Sequence, residues 1–322
     1  MVFDPLSKYT GLFGKLHCNH NPKLGAAPHK AILLLALLDE IARGTIQANR
    51  IELTPELVSA FRAYWRVLVP KGTWQERIAN PFRFMVKEDF WELVKNGVPV
   101  STQSLGMNPS IQQMTTEVDG AILASDLWEL LQDRAAVSAL RASLLNHYFS
   151  VGVADIQPAI PANPIQYEIE KLKAEALSKF RIKQVREASN ETGYYVRHAL
   201  FPKVVKSLYN ETCAVCGLNV QSSGGSVIVD AAHIMDFAIF HNDDPRNGIA
   251  LCKNHHWGFD EGLFSASDDY RIIISPHLRN ALTYLTAGAS LLLPAQAEYA
   301  PAPDALAWHR KKFYKKQSSK GQ

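Results

Sequence analysis

CAVCG, residues 213–217, and CKNHH, residues 252–256, hold three of the chain's four cysteines and two adjacent histidines. They divide into two pairs, Cys213-x2-Cys216 and Cys252-x2-His255, with 35 residues between Cys216 and Cys252. Paired ligands at two-residue spacing, brought together from distant segments, suit a tetrahedral Cys3His zinc site. Gly217, just after the second cysteine, lets two thiolates turn toward one ion. Four protein ligands leave no open position, so the expected zinc is structural. The remaining Cys18 stands alone and reads as a buried small hydrophobe.

The chain around these pairs has 322 residues, enough for about two domains. Apolar residues make up 47%, which supports packed cores rather than disorder. AILLLALL (31–38), the most apolar run, is too short to span a bilayer. MVFDPLSKYT shows no secretion signal, so the expected compartment is the bacterial cytoplasm, with reduced cysteines and no membrane partner. Residues 1–160 hold 15 Lys/Arg against 15 Asp/Glu, and residues 161–322 hold 19 against 16. The tail WHRKKFYKKQSSKGQ (308–322) has six basic residues and no acidic one, as suits a polyanion contact or a solubilising end.

VGVADIQPAIPANPIQ (151–166) reads as a linker between a front domain, 1–150, and a second, 167–322. In the front domain, helices are expected at 28–44, from Pro28 to a stop at Gly44, and at 54–69, with Thr54 as cap and Pro55 at the first helical position. Residues 125–149 form one long or two shorter helices. Residues 79–97 read as a Pro-Phe turn followed by a short strand or hairpin. Beyond the linker, 167–188 and 201–212 read as helices and 226–234 as β-rich. A loop follows at 242–248, a short helix at 249–264 and a strand at 270–275.

With His255 assigned to zinc, His256 is left over. VDAAHI (229–234) adds His233 and DDPRNGIALC (243–252) adds Asn247. A strand histidine, a loop asparagine and a helical histidine around one structural zinc resemble the HNH nuclease family over residues 200–265. PDALAWHRKKFY (303–314) resembles the tail of its restriction-type members. The resemblance implies a ββα-metal domain that hydrolyses phosphodiesters. His233 would be the general base and His256 a ligand of one catalytic divalent ion, Mg²⁺, Mn²⁺ or similar. Asn247 would hold the loop by backbone hydrogen bonds or lean toward the metal. Relatives carry a second ligand directly before the base, where this chain has Ala232. Asp230 and Asp260 are the substitute candidates, Asp260 as ligand or as an orienting carboxylate.

PHKAILLLALL and, about 50 residues later, NPFRFMVKEDFWEL resemble the sulfur-binding domain of type IV restriction enzymes, over residues 10–150, and the HNH part is of the McrA-like kind. The sulfur-binding domain recognises phosphorothioate DNA. Sulfur is softer and less hydrated than oxygen, so a shallow apolar cup favours it. By resemblance His29 and Lys30 are the basic pair and Pro81 the cup proline; Arg77 and Arg83 are the candidate phosphate contacts. Asn80 and Phe84 stand where the family has an aromatic and a small residue.

The expectation is an α+β chain of two domains: a mostly helical DNA-recognition domain and a zinc-bearing HNH nuclease domain. Double-stranded, phosphorothioate-modified DNA is the implied partner, with a homodimer or two successive nicks for double-strand cleavage. The alternatives are a reader of methylated cytosine, for which Trp65, Trp74 and Trp91 supply aromatics, and a zinc-stabilised binder that does not cut.

Overall fold

A computed structural model describes residues 4–102, 105–182, 191–275 and 285–319, with the side chains of 313–319 excepted. The chain divides into two units, Met1–Glu168 with Glu187–Val196, and Ile169–Arg186 with Arg197–Gln322.

Unit 1 opens with α1 (Pro5–Phe13), the short β1 (His20–Asn21) and β2 (Gly25–Ala26), and α2 (His29–Ala42). Residues Lys30 to Leu38 of α2 are all buried, which makes it the central helix. It packs on α3 (Pro55–Leu68). The Thr54 hydroxyl caps α3 by accepting from the Leu57 amide, and Pro55 takes the first turn, where no donor is lost. Next come α4 (Ala79–Phe84), β3 (Trp91–Lys95), β4 (Val98–Pro99), α5 (Ile111–Glu117) and β5 (Gly120–Leu123). The strands form an antiparallel sheet in the order β4-β3-β5, with Trp91 opposite Leu123 and Val94 opposite both Gly120 and Pro99. Asn96 and Gly97 both have positive φ in the tight turn joining β3 to β4. The Pro-Phe turn expected near residue 81 is instead helical: Pro81 is the third residue of α4, where proline is tolerated. Residues 125–149 form two helices, α6 (Ser125–Leu130) and α7 (Arg134–Phe149), because Asp133 caps a new start.

Residues 151–163 carry the short α8 (Val153–Ile156) and a 3-10 turn at Gln157–Ala159. The helix expected from 167 is α9 (Pro164–Ala176), and residues 183–190 lie outside the described residues. The helix expected from 201 starts earlier, as α10 (Glu191–Leu208). Its first turns belong to unit 1, where the Tyr195 hydroxyl donates to the Leu53 carbonyl at 2.7 Å and Glu191 accepts from the Ile111 amide at 2.8 Å.

Unit 2 is built on β6 (Val229–His233), α11 (Phe237–Phe240), β7 (Gly248–Cys252) and α12 (Lys253–Asp260). β6 and β7 are antiparallel, with Val229 opposite Cys252 and His233 opposite Gly248. The helix expected over 249–264 therefore covers only 253–260. Residues 249–252 are strand, and 264–266 begin β8 (Phe264–Ala266), which pairs with β9 (Ile272–Ile274). Every residue of β7 is buried, so the alternation that betrays a half-exposed strand is missing. The final helix, α13 (Pro303–Ser319), packs on β8. His309 donates from Nε2 to the Phe259 carbonyl and stacks on the Phe259 ring at 3.7 Å.

Gly248 marks the tightest approach in this unit. A Cβ there would lie 2.5 Å from Val205 Cγ2 and 2.9 Å from Phe201 Cζ, both on α10. Gly248→Ala should therefore destabilise unit 2 by about 1–3 kcal/mol through overpacking. Thermal melting would show a fall of about 2–4 °C for each kcal/mol. An unchanged melting temperature would mean that β7 has room to move away from α10.

Candidate nuclease and metal site

The two cysteine pairs meet. Cys213, Cys216, Cys252 and His255 present ligand atoms that all lie within 4.8 Å of one another, the one such cluster found among the described residues. Local backbone bonds shape the knuckle. The Cys213 amide donates to the Leu218 carbonyl, the Gly217 amide to the Cys213 carbonyl, and the Ala214 amide to the Ala250 carbonyl of β7. Cys252 precedes α12, whose first turn carries His255, with Nδ1 at 3.1 Å from Cys252 Sγ and 3.5 Å from Cys213 Sγ. Burial opposes ionisation of Cys213, but His255 and the nearby backbone amides outweigh it and pull the thiol down to about 6. Burial, opposed by the Leu218 amide and reinforced by Cys213, pushes Cys216 up to about 12. Thiolates this close repel one another, and a bound cation relieves that repulsion. Three thiols and an imidazole nitrogen suit zinc by donor type and number.

His256, the next residue, leaves this cluster. Its Nδ1 is 3.4 Å from Asp230 Oδ2 and its Nε2 is 3.4 Å from Asp260 Oδ2. The two candidate carboxylates thus flank opposite edges of one ring. Asp230 is also paired with Lys253 at 2.6 Å. Burial pushes the Asp230 carboxyl up, and Lys253 and His256 pull it below the usual range on balance.

Asn247 is fully buried and uses its amide on backbone. Oδ1 accepts from the Met235 amide at 2.8 Å, and Nδ2 donates to the Asn242 carbonyl at 2.9 Å and to the Met235 carbonyl. These bonds tie the loop before β7 to the segment that follows β6. His233, at the end of β6, lies flat on the Phe201 ring, with centroids 3.9 Å apart. Its Nε2 is 3.0 Å from Asp243 Oδ1. Asp243 also meets His198 Nδ1 at 3.4 Å. Neither Asp243 nor His198 was a sequence candidate. The available signal was the doubled acid just before PRNG, of which Asp244 is consumed by a two-pronged bond to Arg246.

In unit 1, His29, Lys30, Arg77, Asn80, Pro81 and Phe84 all line one cleft of about 910 Å³. Their local states differ from a simple basic patch. Lys30 is buried and its ammonium bonds Glu88, so its charge is spent inside. His29 donates from Nε2 to the Gln75 carbonyl at 2.8 Å and packs on Trp65. Burial holds its pKa below the usual value, only partly offset by that bond. Arg83 is not in the cleft: it is buried and donates to the Thr102 carbonyl at 2.9 Å. Asn80 Nδ2 donates to Asn108 Oδ1 at 3.1 Å. Of the three tryptophans, Trp74 lines the cleft, whereas Trp65 and Trp91 are buried. Cys18 is part-buried at the cleft, and burial pushes its thiol up.

The profile of the HNH endonuclease family matches residues 213–265. Among solved structures, the chain is similar to a modification-dependent restriction endonuclease, TagI, with 26% identity over 36% of this chain and 38% of that one, TM-score 0.29. It is also similar to the sulfur-binding and SRA domains of ScoMcrA complexed with phosphorothioated DNA, with 19% identity over 48% and 47%, TM-score 0.34. A third similarity is to the type IV phosphorothioation-dependent restriction endonuclease ScoMcrA, with 12% identity over 96% and 99%, TM-score 0.34. The chain spans less than half the length of the first two. No curated protein matches it significantly. Among the described residues no helix is long and apolar enough to cross a membrane. Residues 213–265 are an HNH endonuclease domain, and the zinc-type cluster, His233, Asn247 and His256 all fall inside it.

Proposed function

We propose that this chain, a nuclease by its HNH domain, is a modification-dependent DNA endonuclease of type IV character. The observation that carries the reading is the arrangement in unit 2. One histidine ends a strand against a carboxylate, and a second sits between two carboxylates on the adjoining helix. His233 is the general base that takes a proton from water. His256, with Asp260 and Asp230 at its two edges, offers nitrogen and oxygen donors suited to a divalent ion such as Mg²⁺ or Mn²⁺. Such an ion would polarise the phosphate and stabilise the departing 3′ oxygen. The Cys3His cluster holds a structural zinc. One HNH site cuts one strand, so double-strand cleavage calls for two copies or two nicks.

Target choice is assigned to the cleft of unit 1, and a phosphorothioate is the favoured feature. Pro81 and Phe84 give it an apolar wall. A poorly hydrated sulfur loses less than oxygen on entering such a wall. A second reading, a modified cytosine flipped into the cleft, is favoured by Trp74 and the Asn80–Asn108 amide pair, which supply a stacking face and base-edge partners. A gel shift decides between them, using full-length His233→Ala protein and one duplex made plain, with a single phosphorothioate, or with methylated cytosine. The sulfur reading expects roughly tenfold tighter binding to the thioate duplex, about 1.4 kcal/mol, reduced by Pro81→Ala. Preference for the methylated duplex would transfer the assignment to the base.

A further inference from the structure

Asp243 is the acid in the nuclease unit whose surroundings demand an explanation. Its residue is 1% exposed. A buried carboxylate is costly unless charged or hydrogen-bonding groups meet it. The groups that meet this one are two imidazoles, His233 Nε2 at 3.0 Å and His198 Nδ1 at 3.4 Å, both at the same oxygen, Oδ1. Burial pushes the Asp243 carboxyl up, and the bonds to the two histidines bring it below the usual range on balance.

The loop is fastened on both sides of Asp243. Asn242 donates to the Arg181 carbonyl and accepts from the Asp244 amide, and its own carbonyl receives Asn247 Nδ2. Asp244 accepts from the Arg246 amide and guanidinium. The histidines are also held from the sides, His233 more than His198, whose side chain is half exposed. His233 lies on Phe201 at 3.9 Å with 7° between the planes, and His198 stacks on Phe237 at 4.3 Å. Carboxylate and imidazole therefore meet in one geometry, set by packing on both partners.

We infer that Asp243 is a positioning residue for the nuclease's base: its carboxylate accepts the Nε2–H of His233 and so keeps the His233 lone pair on Nδ1. This rests on His233 being the base. In the step that follows, an O–H bond of water breaks and its proton goes to His233 Nδ1. The water oxygen forms a bond to phosphorus, and the bond from phosphorus to the 3′ oxygen breaks with its electron pair on that oxygen. The imidazolium so formed keeps Nε2–H on Asp243 and meets a negative charge there. His198 is the carboxylate's second donor and fixes its orientation from the other side.

The test uses full-length, zinc-loaded protein and the duplex it cleaves best. Asp243→Asn keeps the size of the side chain and removes the charge. It should lower kcat roughly a hundredfold or more while leaving KM near the parent value. Nitrogen-15 NMR of histidine-labelled protein should show neutral His233 protonated on Nε2 in the parent, and on Nδ1 or on a mixture in the variant. The His233 signal is identified by its loss in His233→Ala. Parent protein with His233 protonated on Nδ1 overturns the inference, even if the asparagine variant fails to fold. So does a folded Asp243→Asn protein with unchanged kcat. His233→Ala cleaving normally would instead sink the assignment of the base, which is a different failure.

Discussion

His233→Ala should bind duplex DNA as tightly as the parent and cleave it about 10²–10⁴-fold more slowly, the range for losing a general base. The fold should survive, because one face of the His233 ring rests on Phe201 while β6 is held by its full register with β7 and by the Ile234 amide bonded to the Asn247 carbonyl. Stability should fall far less than activity, since Phe201 and Val205 beneath remain in the core. Cleavage rates under single turnover, beside a gel shift on the same duplex, check this directly. Retained cleavage would move the base to another residue, whereas a parent that binds without cutting would return the chain to the class of zinc-stabilised binders. Lost binding together with lost cleavage would point to a folding defect, which a melting curve reveals.

Stripping the Cys3His cluster should have the second large effect, this time on the fold. The cluster joins three segments: the knuckle after α10, the end of β7 and the first turn of α12. Apparent binding energies of structural zinc are about 10–16 kcal/mol, comparable to or above the net stability of a whole domain, about 5–15 kcal/mol. A strong chelator, or Cys213→Ser, should therefore unfold unit 2 at room temperature and abolish cleavage. Elemental analysis should give one zinc per chain in the parent. Hydrogen exchange should show lost protection across β6, β7 and α12. Persistence of that protection after complete zinc removal would reduce the cluster to a minor brace.

Much of this was written locally. One CxxC and one CxxH pair carry their own geometry, so the zinc-type cluster could be expected before any fold. Pro55 and Thr54 announced the start of α3 because a cap and a proline act within one turn. What the sequence hid depends on distance along the chain. Lys30 looks basic until Glu88, 58 residues on, neutralises it in the interior. Arg83 looks like a phosphate ligand until its guanidinium turns to the Thr102 carbonyl. β7 reads like helix because burial on both faces erases its period. Asp243 looks like one more turn acid, and only the packing of His233 and His198 around it gives it a task.

In the reading proposed above, the HNH site cuts DNA preferentially where the front unit finds a phosphorothioate. The most direct measurement is cleavage of one duplex, prepared with and without a single phosphorothioate, by full-length protein in the presence of Mg²⁺ or Mn²⁺. At limiting protein the thioate duplex should be cut roughly ten times faster than the plain one, and His233→Ala should cut both about 10²–10⁴-fold more slowly. Equal cutting of both duplexes, or of neither, would contradict this reading.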